Sequence, residues 1–154
     1  MRIAVFPGTF NPITRGHEEV VLRALPMFDQ IIVLVANNPT KKTEFDVFER
    51  MQMIENVFES EPNVKAHVWE GLTTDFCKQH DVKYMLRGIR SSIDFEYEKN
   101  IDFANKIFAP DIETIYLISS HQNSMVSSSM VREIHKYGGD IKPYIPRQIH
   151  KYYK

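Results

Sequence analysis

Short apolar runs and amphipathic segments alternate along this chain. The apolar run at 2–6 ends at Pro7–Gly8 and predicts a buried strand. The continuous β-branched run at 31–36 is typical of a strand covered on both faces. Between these runs, residues 17–28 carry apolar side chains at helical spacing, at Val21, Ala24, Leu25 and Phe28.

The same alternation continues to the end of the chain. Further strands are predicted at 64–69, 82–88 and 114–119, and further helices after Asp46, at 73–80, 94–108 and 127–137, and near Pro146. Asp46 and Glu49 have the spacing of a capping box. The 94–108 helix carries Tyr97, Ile101, Ala104 and Phe108 on one side.

Five strands separated by helices predict βαβ units. The expected fold class is α/β, with a five-stranded, mostly parallel sheet and helices on both faces. The chain has 154 residues, the usual size of one domain, and no linker or repeat interrupts it. A single domain over 1–154 is therefore expected.

Composition narrows the possible functions. The net charge is −1, whereas a nucleic-acid platform needs a clear excess of Lys and Arg. With one cysteine, Cys77, the chain can form no intrachain disulfide, which suits a reducing, cytoplasmic location. Cys77 is expected to be a buried apolar residue. We expect no membrane association, since no secretory signal and no run near ~20 apolar residues is present.

Polar and basic groups follow the predicted strands. In a parallel α/β sheet, ligands bind at the carboxyl ends of the strands. The groups found there are Thr9, Arg15, Gly16 and His17 after the first strand, Lys41 and Lys42 after the second, Arg87, Gly88 and Arg90 after the fourth, and His121, serines and Arg132 after the fifth. A chain of nearly zero net charge thus gathers positive groups at one edge.

Two helix N-termini, near His17 and Ser128, are expected at the same edge. Each adds partial positive charge and free N–H groups. Gly8 and Gly16 are expected to give the backbone freedom there, and Thr9 and His17 to donate to phosphate oxygens. The combination predicts a polyanion site, with triphosphate as the best candidate.

Each motif on its own is more often structural than functional, and the prediction depends on their joint placement. Two common nucleotide signatures are absent: no G-x-x-x-x-G-K-[ST] occurs, and no G-x-G-x-x-G follows a strand.

The residues resemble bacterial phosphopantetheine adenylyltransferases, of the nucleotidyltransferase superfamily with a "GxFxP…GH" start. The resemblance covers essentially the whole chain, through PGTFNPITRGH (7–17), NPTKK (38–42), DVFER (46–50), LRGIRSSIDFEYE (86–98) and SMVSSSMVRE (124–133). It implies a Rossmann-like fold. It also implies transfer of the adenylyl group of ATP to 4′-phosphopantetheine, giving dephospho-coenzyme A and pyrophosphate by direct in-line attack.

The resemblance also implies roles for particular residues. His17, Lys41 and Arg90 would be catalytic. ATP would contact Thr9, Phe10, His17, Gly88, Ile89, Arg90, Glu98, Asn123, Ser124, Met125, Val126, Ser127, Ser128 and Ser129. Phosphopantetheine would contact Thr9, Lys41, Thr73 and Arg87. Mg²⁺ is implied as cofactor, held mainly by ATP phosphates rather than by the protein.

Some positions depart from the family pattern or lack independent support. Asn11 stands where aspartate is frequent, Asn123 where an aromatic is common, and Thr73 where an apolar residue is common. From the residues alone, Glu98 is expected to be a solvated helix residue.

Alternatives stay open at this point. A sister enzyme, such as a nicotinamide-mononucleotide adenylyltransferase or a cytidylyltransferase, would share the phosphate site. A non-catalytic nucleotide-binding module is a second alternative, and a purely structural protein is a third.

The resemblance further implies a homohexamer and feedback binding of coenzyme A.

Overall fold

Five parallel strands form one sheet. A computed structural model describes all 154 residues, and the strand order across its sheet is β3-β2-β1-β4-β5. All four neighbouring pairs are parallel. The strands are β1 (Ile3–Gly8), β2 (Gln30–Ala36), β3 (Val64–Trp69), β4 (Tyr84–Ile89) and β5 (Glu113–Ile118). The predicted fold class is confirmed.

Five α-helices connect or follow the strands. They are α1 (Arg15–Ala24), α2 (Val47–Val57), α3 (Thr73–Gln79), α4 (Ser92–Phe108) and α5 (Ser128–Lys136). Short 3₁₀ segments lie at Leu25–Met27, His121–Asn123, Lys142–Tyr144 and Arg147–Tyr152. Each predicted element is present, with ends that differ by a few residues. No helix is long and apolar enough to cross a membrane.

The sheet is covered on both faces. On one face Val21 of α1, Ile54 of α2 and Val131 of α5 pack into the larger core. On the other, Phe76 and Cys77 of α3 pack into a smaller one. Cys77 is fully buried, as expected, and burial raises the pKa of its thiol to about 11.

Local capping fixes where two of these helices start. The Asp46 side chain accepts hydrogen bonds from the backbone of Phe48 and Glu49, and Glu49 accepts one from the Asp46 backbone, so the predicted capping box is confirmed. Ser127 caps α5 by accepting from Met130 N–H.

The chain direction places a crevice beside β1. From β1 the sheet is extended through β2 on one side and through β4 on the other, which creates a topological switch point. Helix α1 packs closely here, because a Cβ at Gly88 would lie 2.9 Å from Val20 Cγ2. A larger residue at position 88 would require the Val20 side chain or α1 itself to shift.

Helix α4 departs from the usual amphipathic arrangement. Apolar stripes normally face a protein's own core, but Tyr97 is 64% exposed, Ile107 80% and Phe108 54%. Ala104 is also exposed, and the only buried side chain of α4 is that of Glu98. Of the apolar side predicted for this helix, Tyr97, Ala104 and Phe108 are therefore exposed, and only Ile101 is partly covered.

Candidate active site

A cleft of about 620 Å³ opens at the carboxyl ends of β1 and β4. Its wall is mainly polar and comes from the ends of both strands, the N-termini of α1 and α5, and the loop after β2. The side chains with charge or hydrogen-bonding capacity on that wall include Thr9, His17, Lys41, Lys42, Arg87, Arg90, Ser127, Ser128, Ser129 and Arg132. The predicted gathering of positive groups at one edge is thus present in the fold.

His17 is held by the N-terminus of its own helix. The Thr14 backbone N–H donates to the ring Nδ1 of His17 at 2.9 Å, while the Thr14 hydroxyl accepts from the backbone N–H of His17 at 3.4 Å. Because Nδ1 accepts a hydrogen bond, the proton of the neutral ring lies on Nε2. His17 therefore has one N–H left to donate to a ligand in the cleft.

The surroundings of His17 keep it neutral. Burial, followed by the positive charges of Arg87 and Arg90, lowers the pKa of His17 to about 4. The residue is partly buried, lines the cleft and makes an edge contact with Phe10, with ring centroids 5.0 Å apart. A neutral hydrogen-bond donor is thus fixed beside two cations.

The turn after β1 obtains its shape differently from the expectation. Phe10, not a glycine, has the positive φ, at 51°. Gly8 is needed for space, since a Cβ there would lie 3.0 Å from the Phe10 ring. The freedom expected at Gly16 is not used, because its φ is not positive and a Cβ there would meet nothing closer than 3.5 Å.

Cationic side chains reach the cleft from separate elements. Lys41 Nζ donates to the Thr9 hydroxyl at 3.3 Å. Arg90 Nη1 lies 3.4 Å from the Val126 carbonyl, between β4 and the start of α5. Arg132 Nη1 donates to the Asn11 carbonyl at 2.6 Å.

A second cavity of about 320 Å³ adjoins the first. Helix α4 contributes Ile101 and Asn105 to its wall, and other elements add Leu72, Thr73 and Met85. The two cavities share Pro7, Gly8, Thr9, Arg87 and Glu98. Two ligands could therefore meet at Thr9 and Arg87.

Arg87 and Glu98 form a two-point ion pair on this shared wall. Arg87 Nε donates to Glu98 Oε2 at 2.8 Å, and Nη2 donates to Oε1 at 2.6 Å. Arg87 Nη1 donates to the Pro7 carbonyl at 2.8 Å. Glu98 is only 5% exposed, so the expectation of a solvated helix residue is wrong.

The carboxylates near the cleft do not form a metal cage. No group of three or more His, Cys, Asp or Glu side chains is placed to hold an ion. Glu98 is paired with Arg87, and Asp94 accepts from the Arg90 backbone N–H. A divalent ion would fit here only with most of its ligands supplied by phosphates and water, which suits Mg²⁺.

Comparison with known proteins identifies the family. The model of the cytidylyltransferase-like family matches residues 5–134. A phosphopantetheine adenylyltransferase of Cytophaga hutchinsonii is 43% identical over 96% of this chain and 99% of its own length. A second, of Levilactobacillus brevis, is 44% identical over 98% of this chain and 94% of its own. The chain belongs to the phosphopantetheine adenylyltransferase family.

The fold has solved counterparts. A bifunctional NMN adenylyltransferase/ADP ribose pyrophosphatase from Francisella tularensis, complexed with AMP and a manganese ion, matches 93% of this chain with a TM-score of 0.69 and 18% identity. This chain corresponds to only 44% of that protein. At that identity the likeness concerns the fold alone, and it agrees with the family's Rossmann-like architecture.

Most residues predicted for ATP lie on the cleft wall of this family member. Ten do so, namely Thr9, Phe10, His17, Gly88, Arg90, Glu98, Val126, Ser127, Ser128 and Ser129. Ile89 is buried below the wall, while Asn123, Ser124 and Met125 lie outside it. Their contacts with ATP stay predictions.

Two basic residues expected at the edge are directed elsewhere. Arg15 Nε donates to the Ile145 carbonyl at 3.2 Å, which ties α1 to the C-terminal segment. His121 lies in the 3₁₀ segment after β5 and does not line the cleft. Following a strand in the sequence was therefore not sufficient to place Arg15 and His121 in the cleft.

The three departures from the family pattern have distinct surroundings. The Asn11 amide oxygen lies 3.4 Å from Phe45 N–H. Asn123 Nδ2 donates to Glu19 at 3.1 Å. Thr73 lines the second cavity, and its contact with the acceptor stays a prediction.

Sequence reasoning missed Arg50. Its side chain is buried at 3% exposure and donates to three backbone carbonyls around the cleft. The available signal was its place on α2, three residues after Val47 and four before Ile54, both of which face the core. An arginine among core-facing positions is a reason to look for buried acceptors.

Proposed function

We propose that this chain catalyses reversible transfer of the adenylyl group of ATP to 4′-phosphopantetheine. One observation carries the proposal: two adjoining cavities, one polar and cationic and one partly apolar, meet at Thr9 and Arg87. This is the arrangement that a two-substrate phosphoryl transfer needs, since the reacting groups must approach in line.

ATP is assigned to the larger cleft. The N-termini of α1 and α5 both line it and supply free N–H groups and partial positive charge to phosphate oxygens. Arg90 and the serines at 127–129, which line the cleft, would bind the β- and γ-phosphates. The predicted nucleotide contacts of Gly88, Ile89 and the 123–126 stretch complete this assignment.

Phosphopantetheine is assigned to the second cavity. Its walls combine apolar side chains with amide and hydroxyl groups, which suits an elongated chain of methylenes and amides. The phosphate end would lie at the shared wall, between Arg87 and Lys41. Thr73 would contact the pantetheine arm.

The chemistry follows from the charges at the shared wall. A phosphate oxygen of the acceptor attacks the α-phosphorus of ATP, the bond from that phosphorus to the bridging oxygen breaks, and pyrophosphate leaves. Lys41 and Arg87 reduce the repulsion between the two phosphate groups, and His17 Nε2–H donates to the α-phosphate as its charge develops. No residue needs to be covalently modified.

Magnesium enters as part of the Mg–ATP substrate. No cluster of acidic side chains is arranged to hold the ion, so it would be bound mainly by phosphate oxygens. Its contribution is to neutralise charge on the leaving pyrophosphate.

We further propose that the protein is a cytoplasmic homohexamer and that coenzyme A competes for the same cavities. The exposed apolar side of α4 supports self-association, because a surface of this kind marks an interface. Coenzyme A carries both an adenylyl and a pantetheine part, so it fits the two adjoining cavities together.

The decisive experiment measures pyrophosphate release with Mg–ATP and each of two acceptors. We expect turnover with 4′-phosphopantetheine and none with nicotinamide mononucleotide. The opposite result would assign the chain to the sister activity. Nucleotide binding without turnover on either acceptor would favour a non-catalytic binding module.

A further inference from the structure

Arg50 joins the two loops that carry the acceptor-side groups. Its Nη1 donates to the Thr9 carbonyl at 2.6 Å and to the Ala36 carbonyl at 3.2 Å. Its Nε donates to the Phe45 carbonyl at 3.1 Å. Thr9 begins the turn after β1, Ala36 ends β2, and Phe45 lies at the far end of the loop that contains Lys41.

This guanidinium is buried and has no carboxylate partner. No acidic side chain lies within salt-bridge distance, and only 3% of the residue is exposed. Its charge persists because arginine stays protonated in proteins. Burying a cation is unfavourable unless hydrogen bonds replace its hydration, so the contacts to the carbonyls are essential for its position.

The bridged loops bear functional groups at short range. Lys41 Nζ reaches the Thr9 hydroxyl at 3.3 Å, a contact that depends on the spacing of the two loops. Asn11 and Phe45 add only a long second contact, at 3.4 Å. Beyond the β1–β2 ladder, which ends at Gly8 and Val35, Arg50 is therefore the main polar connection between the two loops.

We propose that Arg50 is a positioning residue for acceptor binding. By fixing the carbonyls on both loops, it holds Lys41 and Thr9 at the separation that receives the acceptor phosphate. Arg50 lines neither cavity, so it would act through Lys41 and Thr9 and not on a substrate directly. The inference rests on the proposed function, since it assigns the acceptor phosphate to Lys41 and Thr9.

Three variants test it. Arg50→Met keeps much of the volume and removes the charge and the donors. Arg50→Lys keeps the charge but cannot span three carbonyls. Lys106→Met is the matched control, because Lys106 also donates to a backbone carbonyl, that of Ile112, and lines neither cavity.

The expected result is a split between the two substrates. For Arg50→Met, kcat/KM for phosphopantetheine falls ~10²-fold, the scale of a misplaced reacting group. Affinity for a non-hydrolysable ATP analogue, measured by calorimetry, changes less than about threefold: Thr9 and Phe10 lie on a bridged loop, but Arg90 and the α5 N-terminus, which are placed near the phosphates, lie on other elements. Arg50→Lys recovers little of the loss, and Lys106→Met behaves as wild type.

Two outcomes would overturn the proposal. One is wild-type acceptor kinetics in Arg50→Lys, which would make the charge sufficient. The other is an equal loss for both substrates in Arg50→Met, which would indicate a merely structural role.

Amide hydrogen exchange keeps the test independent of turnover. In Arg50→Met, well below its unfolding temperature, exchange should accelerate at residues 9–11 and 37–45 but not in α5. If wild type failed to use phosphopantetheine while this local pattern appeared, the proposed function would fail and the bridging role of Arg50 would stand. Uniform acceleration along the chain would refute the bridge itself.

Discussion

Glu98 accepts two hydrogen bonds from the guanidinium of Arg87, of 2.8 and 2.6 Å, on the wall that the two cavities share. Two-point pairing fixes the plane of the guanidinium as well as its position. The third donor, Nη1, is used by the Pro7 carbonyl. Glu98 therefore decides which way Arg87 presents its charge to both cavities.

Replacing Glu98 with Gln should affect stability and acceptor binding together. Breaking a buried pair on one side is costly, and because Arg87 is partly open to the cavities we expect a loss of about 1–3 kcal/mol in the free energy of unfolding. Reorientation of Arg87 should raise KM for phosphopantetheine about tenfold. Chemical denaturation and steady-state kinetics measure the two effects.

Glu96→Gln provides the control for this pair. Glu96 lies on the same helix and pairs with Lys99 on the exposed surface, where such pairs contribute at most about 1 kcal/mol. An equally small effect from Glu98→Gln would show that the buried pair does not orient Arg87.

His17 should be required for turnover but not for folding. Removal of one charge-stabilising donor typically costs ~10²–10³ in rate, so kcat of His17→Ala should fall at least ~10²-fold. Binding of an ATP analogue should persist, since the helix N-termini and Arg90 remain. His17→Gln, whose amide can also donate, should fall less far, and an unchanged rate in His17→Ala would remove His17 from the mechanism.

The pKa of His17, lowered to about 4, also predicts a pH dependence of stability. The unfolded chain takes up the proton near the ordinary pKa, about 6.5, while the folded chain resists it down to about 4. Between these values the unfolded state binds more protons, so stability falls as pH falls. The contribution should be complete above pH 6.5.

Urea denaturation at several pH values tests this sign. Wild type should lose stability between pH 6.5 and pH 4, by at most about 3 kcal/mol from this group. The same comparison in His17→Gln should show a shallower slope. Parallel slopes in the two proteins would mean that His17 is accessible to protons in the folded state.

The arrangement of strands and helices could be predicted because it depends on local patterns. The run at 31–36 became β2, and the Asp46–Glu49 spacing became a capping box, since both signals lie within a few neighbouring residues. The cleft followed from topology, as parallel strands bring their carboxyl ends to one edge.

Long-range pairing could not be predicted in the same way. Glu98 looked solvated because nothing nearby in the chain marks Arg87, eleven residues away on β4, as its partner. Arg50 was missed because its acceptors are backbone carbonyls, which no sequence pattern identifies. The positive φ at Phe10 was not predicted, because backbone freedom in this turn was assigned to the nearby glycines.

Helix α4 shows how a correct periodicity can still mislead. Its apolar stripe is present, but of its members only Ile101 faces the second cavity, beside Glu98, Asp102 and Asn105. The side chains at positions 93, 97, 104, 107 and 108 are exposed in the single chain. Periodicity locates an apolar face without stating whether the chain itself covers it.

A charged residue on the exposed apolar side of α4 should therefore disrupt the proposed homohexamer. We expect wild type to elute at a mass near six times its 18.1 kDa chain, and Ile107→Glu to dissociate it, because a carboxylate would be buried without a partner. Ile107 is 80% exposed in the single chain, so the substitution should leave the monomer fold intact. Size-exclusion chromatography with light scattering measures the mass. Tyr137→Glu, at a site 75% exposed beyond α5, is the control and should leave it unchanged. A wild-type mass of one chain would mean that the apolar side of α4 does not mediate self-association.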